Sequence, residues 1–301
     1  MLTTEEKKTR RRSLGASEIA AVCGLDPFRG IWDVWASKVG LGIEEDVPGA
    51  EMGHLFERPL LEHYSRQTGI ALTYPKNMRH PKYDWVSATP DGLARDRVVQ
   101  VKTVGSHMAH HWGEEPPEYV VIQVQWEMMV VDVPLAVIVA CIGGTDYRTY
   151  DVPADAQMQE DLLDIGRSFW YEHVLPNVPP DPDESEACRK ALAKRYRRHK
   201  DEYVAANRDL IDLALRHKEI GKQIKALTLE QKQIANLLRY SIGDSAGFAF
   251  PGGRVQWKPQ KGKPSYKDVA EELGASAALI KKHTPDPERV LRVYVKGEEE
   301  E

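Results

Sequence analysis

The stretch from Asp84 to Val104, DWVSATPDGLARDRVVQVKTV, constrains this chain more than any other. Pro90, Asp91 and Gly92 are turn residues with β-prone flanks, so the pattern predicts two strands joined by a turn. The second strand is an apolar run interrupted by Gln100 and Lys102. Side chains alternate along a strand, which puts these two on one face with the Val101 carbonyl between them. Asp91, at the strand end, can then converge with residue 100 and Lys102 on one point. Taken alone, a turn followed by QVK also fits an ordinary turn-strand pair.

Helical and strand patterns alternate around it. LGASEIAAVCGL carries a helix N-terminal signal at Ser17. GAEMGHLFERPLLEHYSRQTG places Met52, Leu55, Phe56, Pro59, Leu60 and Tyr64 on one helical face and stops at Gly69. EYVVIQVQWEMMVVD has Val120, Val124, Glu127 and Val131 at helical spacing, LAVIVACIGG reads as a buried strand, and TDYRTYDV as its antiparallel neighbour. This order predicts an α/β domain over residues 1–178, with a mixed central β-sheet flanked by helices.

VLPNVPPDPDE, with four prolines, marks the expected boundary. Beyond it Leu192, Tyr196, His199, Tyr203, Ala206, Leu210, Leu213, His217, Ile220, Ile224 and Leu227 recur in steps of four and three, a heptad seam. A helical arm is therefore expected over 179–240, with a break into two helices near Thr228, where Thr228 and Gln231 resemble a capping box. An intramolecular hairpin of helices and an intermolecular coiled coil or docking arm both satisfy that seam. GFAFPGGRVQW predicts a β-hairpin, Ser265 to His283 a helix and ERVLRVYV a strand, giving a small α+β domain over 241–301.

The net charge of −5 argues against a simple basic nucleic-acid binder, but the distribution says more. Residues 185–240 hold fourteen Lys/Arg against seven Asp/Glu, so the rest of the chain stands at −12. An acidic body suits carboxylates gathered around a divalent metal, with DNA contacts made by local basic patches such as RKALAKRYRRHK, Arg189 to Lys200. A solvated helix face is the plain alternative for that patch. Cys23, Cys141 and Cys188 fit reduced thiols and cannot supply a four-cysteine cluster. The absence of a long apolar run or an apolar leader leads us to expect a soluble, cytoplasmic protein with no membrane contact.

Two-metal phosphodiester hydrolysis needs clustered carboxylates, an activated water and a cation for the developing charge. Asp91 and Lys102 supply a carboxylate and a cation, Glu57 lies in the G-x-x-x-E of a predicted helix, and Gln123 and Gln125 add neutral donors. LGASEIAAVCG, MGHLFE, ATPDGL, VVQVK and YVVIQVQ stand in the order and spacing of the bacteriophage lambda-type exonucleases, or YqaJ-type viral recombinases, of the PD-(D/E)xK nuclease superfamily, and the chain resembles that family over most of its first 180 residues.

The resemblance implies a Mg²⁺-dependent exonuclease, with Mn²⁺ as substitute, that degrades one strand of linear double-stranded DNA from its 5′ end. The 3′ overhang left behind would go to a single-strand annealing protein in phage recombination. It also implies a homo-oligomeric ring, a trimer in the family. By position, Asp91 and residue 100 would be metal-binding acids, and the Val101 carbonyl a further ligand. Lys102 would stabilise the nucleophile and transition state, Glu57 would position metal-bound water, and Gln123 would support the metal site, with Gln125 a possible addition. Ser17 with Arg10, Arg11 or Arg12 would form the 5′-phosphate pocket, Arg10 and Arg12 being carried forward as site residues. A hydroxyl at a helix start and a guanidinium suit that role.

The departure is Gln100, where the family has glutamate. Glutamine keeps the shape but removes one negative charge from a site that must hold a hard cation, so catalysis should fall while DNA binding is kept. Two origins of Gln100 stay open: a glutamate replaced to trap a DNA complex, or a native glutamine. Three other functions stay open too: a non-catalytic DNA-end binding protein, a structure-specific endonuclease of the same superfamily, and an adaptor acting through its heptad arm.

Overall fold

The computed structural model describes residues 11–42, 50–198, 201–259, 272–276 and 279. The chain divides into two compact units, Met1–Tyr196 and Arg197–Glu301.

In the first unit, β1 (Leu14–Gly15) leads into α1 (Ala16–Val22) and α2 (Ile31–Lys38), followed by the long α3 (Ala50–Thr68). Then come β2 (Met78–Arg79), β3 (Val86–Ala88), β4 (Gly92–Leu93) and β5 (Arg97–Val104). Helix α4 (Glu118–Val131) crosses to β6 (Leu135–Ile142), and β7 (Asp146–Pro153), α5 (Ala156–Ser168) and α6 (Glu186–Arg195) complete the unit.

The main sheet has the order β4-β5-β6-β7. β5 and β6 run parallel and the other two pairs antiparallel, so the expected mixed sheet is present. Parallel neighbours require a crossover, and α4 supplies it. Strand β6 is apolar almost throughout because both its faces are covered. Val137 and Val139 join Val99, Val101, Leu61 and Tyr64 on one side, and Ala136, Ile138 and Ala140 join Val98, Val120 and Val124 on the other. Alternation along β5 therefore turns Gln100 and Lys102 toward α4.

The predicted two-strand unit around Pro90 is divided. β3 pairs with β1 and β2 in a separate small sheet, and only β4 pairs with β5. The chain changes sheets at Pro90-Asp91, which sets the Asp91 side chain against β5. Helix α4 ends at Asp132, whose φ of 57° is left-handed, a conformation a short polar side chain tolerates. Trp126 of α4 fixes the helix to the small sheet through a hydrogen bond from Nε1 to the Ser87 carbonyl at 3.1 Å.

Several expectations change. Helix α1 is capped by Gly15, not Ser17: the Glu18 carboxylate accepts the Gly15 N–H at 2.8 Å, which leaves Ser17 inside the first turn. On α3 the buried residues are Leu61 and Tyr64, while Met52, Leu55 and Phe56 are exposed, so the apolar face sits further along than the spacing suggested. The proline-rich stretch is not a boundary. Trp32 Nε1 donates to the Asp181 carbonyl and Trp35 Nε1 to that of His173, and Cys188 and Ala191 of α6 are buried in the same core. The division consequently falls after Tyr196, not at 178.

In the second unit, α7 (Arg208–Ile242) is one unbroken helix of 35 residues. Thr228 does not cap a new helix; its Oγ1 donates to the Ile224 carbonyl at 2.7 Å. The predicted seam is not continuous: Leu192 lies on α6, Tyr203 and Ala206 are non-helical, and His199 lies outside the described residues. The hairpin of β8 (Gly247–Phe250) and β9 (Gly253–Gln256) is present, its turn accommodated by Gly252 at φ 89°. The strand expected at ERVLRVYV and most of the helix expected from Ser265 lie outside the described residues. Among the described residues no helix is long and apolar enough to cross a membrane.

Candidate active site

The sheet change at Pro90 delivers Asp91 to the middle of β5. Its Oδ2 accepts the Val101 N–H at 2.8 Å and Gln100 Nε2 at 2.5 Å. Gln100 Nε2 also donates to the Val101 carbonyl at 3.3 Å. One amide NH₂ thus bridges two oxygens assigned to a metal by the family resemblance. Gln100 is 5% exposed, and its own Oε1 is buried without a hydrogen-bond partner. Farther along the same face, Lys102 Nζ donates to Gln123 Oε1 at 2.8 Å, and Gln123 Nε2 donates to Glu127 Oε1 at 2.9 Å. The expected convergence of Asp91, Gln100, Val101, Lys102 and Gln123 is present.

Burial dominates the electrostatics. It pushes the Asp91 carboxyl up to about 6; the Val101 N–H opposes this, Glu57 adds to it, and Lys102 and His54 oppose it. Burial lowers Lys102, against the pull of Asp91, Glu127 and Glu57, while Arg29 reinforces the lowering. Glu127 is pushed up to about 8 by burial first; the Gln123 hydrogen bond and Lys102 work against this, and Asp91 works with it.

The remaining predicted residues divide. Glu57 is half-buried on α3, bonded to His54 Nδ1 at 2.8 Å, and its charge acts on Asp91 and Lys102. Gln125 is not part of the group: its Nε2 donates to the Pro153 carbonyl, and its Oε1 accepts from the Asp155 N–H and Gln159 Nε2. It holds α4 to the end of β7 and the start of α5. Arg10 lies outside the described residues. Arg11 and Arg12 line a cavity of about 570 Å³ with Lys38, Trp85 and Trp170, and Ser17 does not line it. The arginine beside Ser17 is Arg29, which donates to the Ser17 carbonyl and pairs with Asp26 at 3.3 Å. Sequence reasoning missed Arg29, which sits in a loop without a motif, and read Glu127 only as a helix-spacing position.

Among the described residues no three His, Cys, Asp or Glu side chains form a metal-holding group. The oxygen donors nonetheless suit a hard cation: the Asp91 carboxylate, the Val101 carbonyl and the unpartnered amide oxygen of Gln100. An amide turned about its terminal torsion exchanges its oxygen and nitrogen, so Gln100 can offer either end.

The mixed sheet thus sets an acid at one strand entry and a lysine on the next strand, with the crossover helix behind them. Residues 7–136 match the model of the YqaJ-like viral recombinase domain. The uncharacterized protein YqaJ of Bacillus subtilis (strain 168) is 26% identical over 285 residues, covering 88% of each chain. The alkaline exonuclease LHK-Exo from Laribacter hongkongensis is similar in structure, at 18% identity, over 58% of this chain and 94% of that one, with a TM-score of 0.49. Its complex with dAMP, with the same identity and coverage, gives 0.50. The second likeness shows the fold.

Proposed function

We propose that this protein is a Mg²⁺-dependent 5′→3′ exonuclease acting on linear double-stranded DNA, working with a centre whose cation affinity Gln100 lowers. The observation that carries this reading is the Gln100 amide bridging Asp91 Oδ2 and the Val101 carbonyl, beside a lysine held by Gln123. Asp91, the Val101 carbonyl and Gln100 Oε1 would hold the cation. When bound, Mg²⁺ polarises the phosphodiester and makes water more acidic. Lys102 places its positive charge where negative charge develops, and Gln123 keeps it there. Glu57, oriented by His54, orders the attacking water. Ser17 and the adjacent Arg29 take the 5′-phosphate, with Arg10 and Arg12 guiding the incoming end. The 3′ overhang produced is the substrate of a single-strand annealing protein, and a homo-oligomeric ring, trimeric as in the family, would keep the enzyme on its DNA.

Linear duplex labelled at either end, with a closed circle as control, tests this. Mononucleotide release of the 5′ label, with the 3′ label kept in a single strand, is expected. Cutting of the circle would instead identify an endonuclease. A second reading, a DNA-end binding protein without catalysis, is favoured by the neutral amide at 100. It requires equal end binding in Mg²⁺ and EDTA and no release by any variant.

A further inference from the structure

Glu127 stands on the buried face of α4, 1% exposed. Carboxylates are almost never buried this completely without a charged partner, because the ion loses its hydration. Here the single hydrogen bond is from the neutral amide of Gln123 to Oε1, and Oε2 is buried with no partner. A leucine or methionine would serve packing better. The position also faces the centre: Glu127 lies one helical turn beyond Gln123, and its charge interacts with Asp91 and Lys102.

The other unpartnered amide or carboxylate oxygen among the described buried side chains is Gln100 Oε1, on the β5 face turned toward α4. The neutral residue where the family has an acid and the acid where a helix core needs none are thus complementary departures in one site. Were residue 100 also a glutamate, its carboxylate and those of Asp91 and Glu127 would crowd around one lysine.

We infer that Glu127 supplies the second negative charge of the cation site, from helix α4 instead of strand position 100. This rests on the metal-dependent reading above and deepens it. With a divalent cation beside it, the ionised form is the one a dry site favours. Glu127 also fixes which way Gln123 faces: an acceptor at Nε2 leaves Oε1 for Lys102. Glutamine at 127 could still accept from Gln123, which separates charge from orientation.

The test is calorimetric titration of Mn²⁺ into the full chain without DNA, with thermal midpoints in EDTA, for the parent, Glu127→Gln, Gln100→Glu and the double variant Gln100→Glu/Glu127→Gln. Glu127→Gln should bind Mn²⁺ about 10–100-fold more weakly, yet melt no lower than the parent in EDTA. The double variant should recover most of that affinity, and Gln100→Glu should bind most tightly. If Glu127→Gln binds Mn²⁺ as the parent does, Glu127 only orients Gln123 and the inference fails while the nuclease reading stands. The inference fails alone, too, if the double variant binds and neither the parent nor Glu127→Gln does. If no protein in the set binds Mn²⁺, the metal-dependent reading falls and takes this inference with it.

Discussion

Replacing Gln100 by Glu should destabilise the metal-free protein in a way that a divalent cation reverses. In the parent, Gln100 Nε2 donates to the Asp91 carboxylate at 2.5 Å and to the Val101 carbonyl at 3.3 Å. Glutamate has no such donor and sets a second carboxylate against the first. Losing a hydrogen bond to a charged acceptor costs about 1.5–3 kcal/mol. Two like charges about 4 Å apart repel by about 4 kcal/mol at an effective dielectric near 20. The sum, about 6 kcal/mol, applies fully when both groups are ionised and shrinks when one of them takes up a proton. At about 2–4 °C per kcal/mol for a domain of this size, the site-bearing unit should melt about 12–24 °C lower at pH 8 in EDTA. Mn²⁺ should restore most of that drop. Scanning calorimetry of both proteins, in EDTA and then with Mn²⁺, measures this. Equal midpoints in EDTA, or a drop that Mn²⁺ leaves untouched, would refute the placement of residue 100 against Asp91.

Three further outcomes are expected. In the folded parent the Asp91 carboxyl is raised from 3.8 to about 6, so the folded state binds the extra proton and the site-bearing unit gains stability as pH falls from 7 toward 4; midpoints against pH in EDTA should show a smaller gain for Asp91→Asn, and parallel curves would contradict this. Lys102→Met should reduce nucleotide release about 10²–10³-fold while leaving end binding measurable by fluorescence anisotropy, whereas unchanged release would remove Lys102 from the site. Gly166→Ala places a methyl 2.9 Å from Trp126 Cη2 and 3.2 Å from Leu14 Cδ2 and should cost about 1–3 kcal/mol in urea unfolding; Gly221→Ala on α7, with nothing within 4 Å, should be neutral or stabilising.

The fold was legible where period and burial agree. Strand β6 and its antiparallel neighbour follow from one apolar run and one turn, and α4 from Val120, Val124 and Val131. The centre was legible because strand alternation, which sequence spacing carries directly, puts Gln100 and Lys102 on one face, and Asp91 stands in the turn that precedes their strand. Tertiary choices were not. Nothing local says that Pro90 switches between two sheets, or that Trp32 captures the proline-rich segment while Trp35 holds His173 just before it. Gln125 looks like Gln123 in sequence, yet on a helix two residues turn the side chain away, here to Pro153 and Asp155. Arg29 and Glu127 acquire meaning only from the groups folding brings beside them. On α7, the i−4 hydrogen bond of Thr228 replaced the cap that its spacing to Gln231 suggested.

The most direct measurement is mononucleotide release from a linear, 5′-phosphorylated duplex by the parent and by Gln100→Glu, in Mg²⁺ and in EDTA, beside a covalently closed circle. Release from the linear DNA only, dependent on Mg²⁺ and faster with glutamate at 100, is the expected result. No release by either protein in Mg²⁺, with the ends still bound, would contradict a nuclease centre at Asp91 and Lys102.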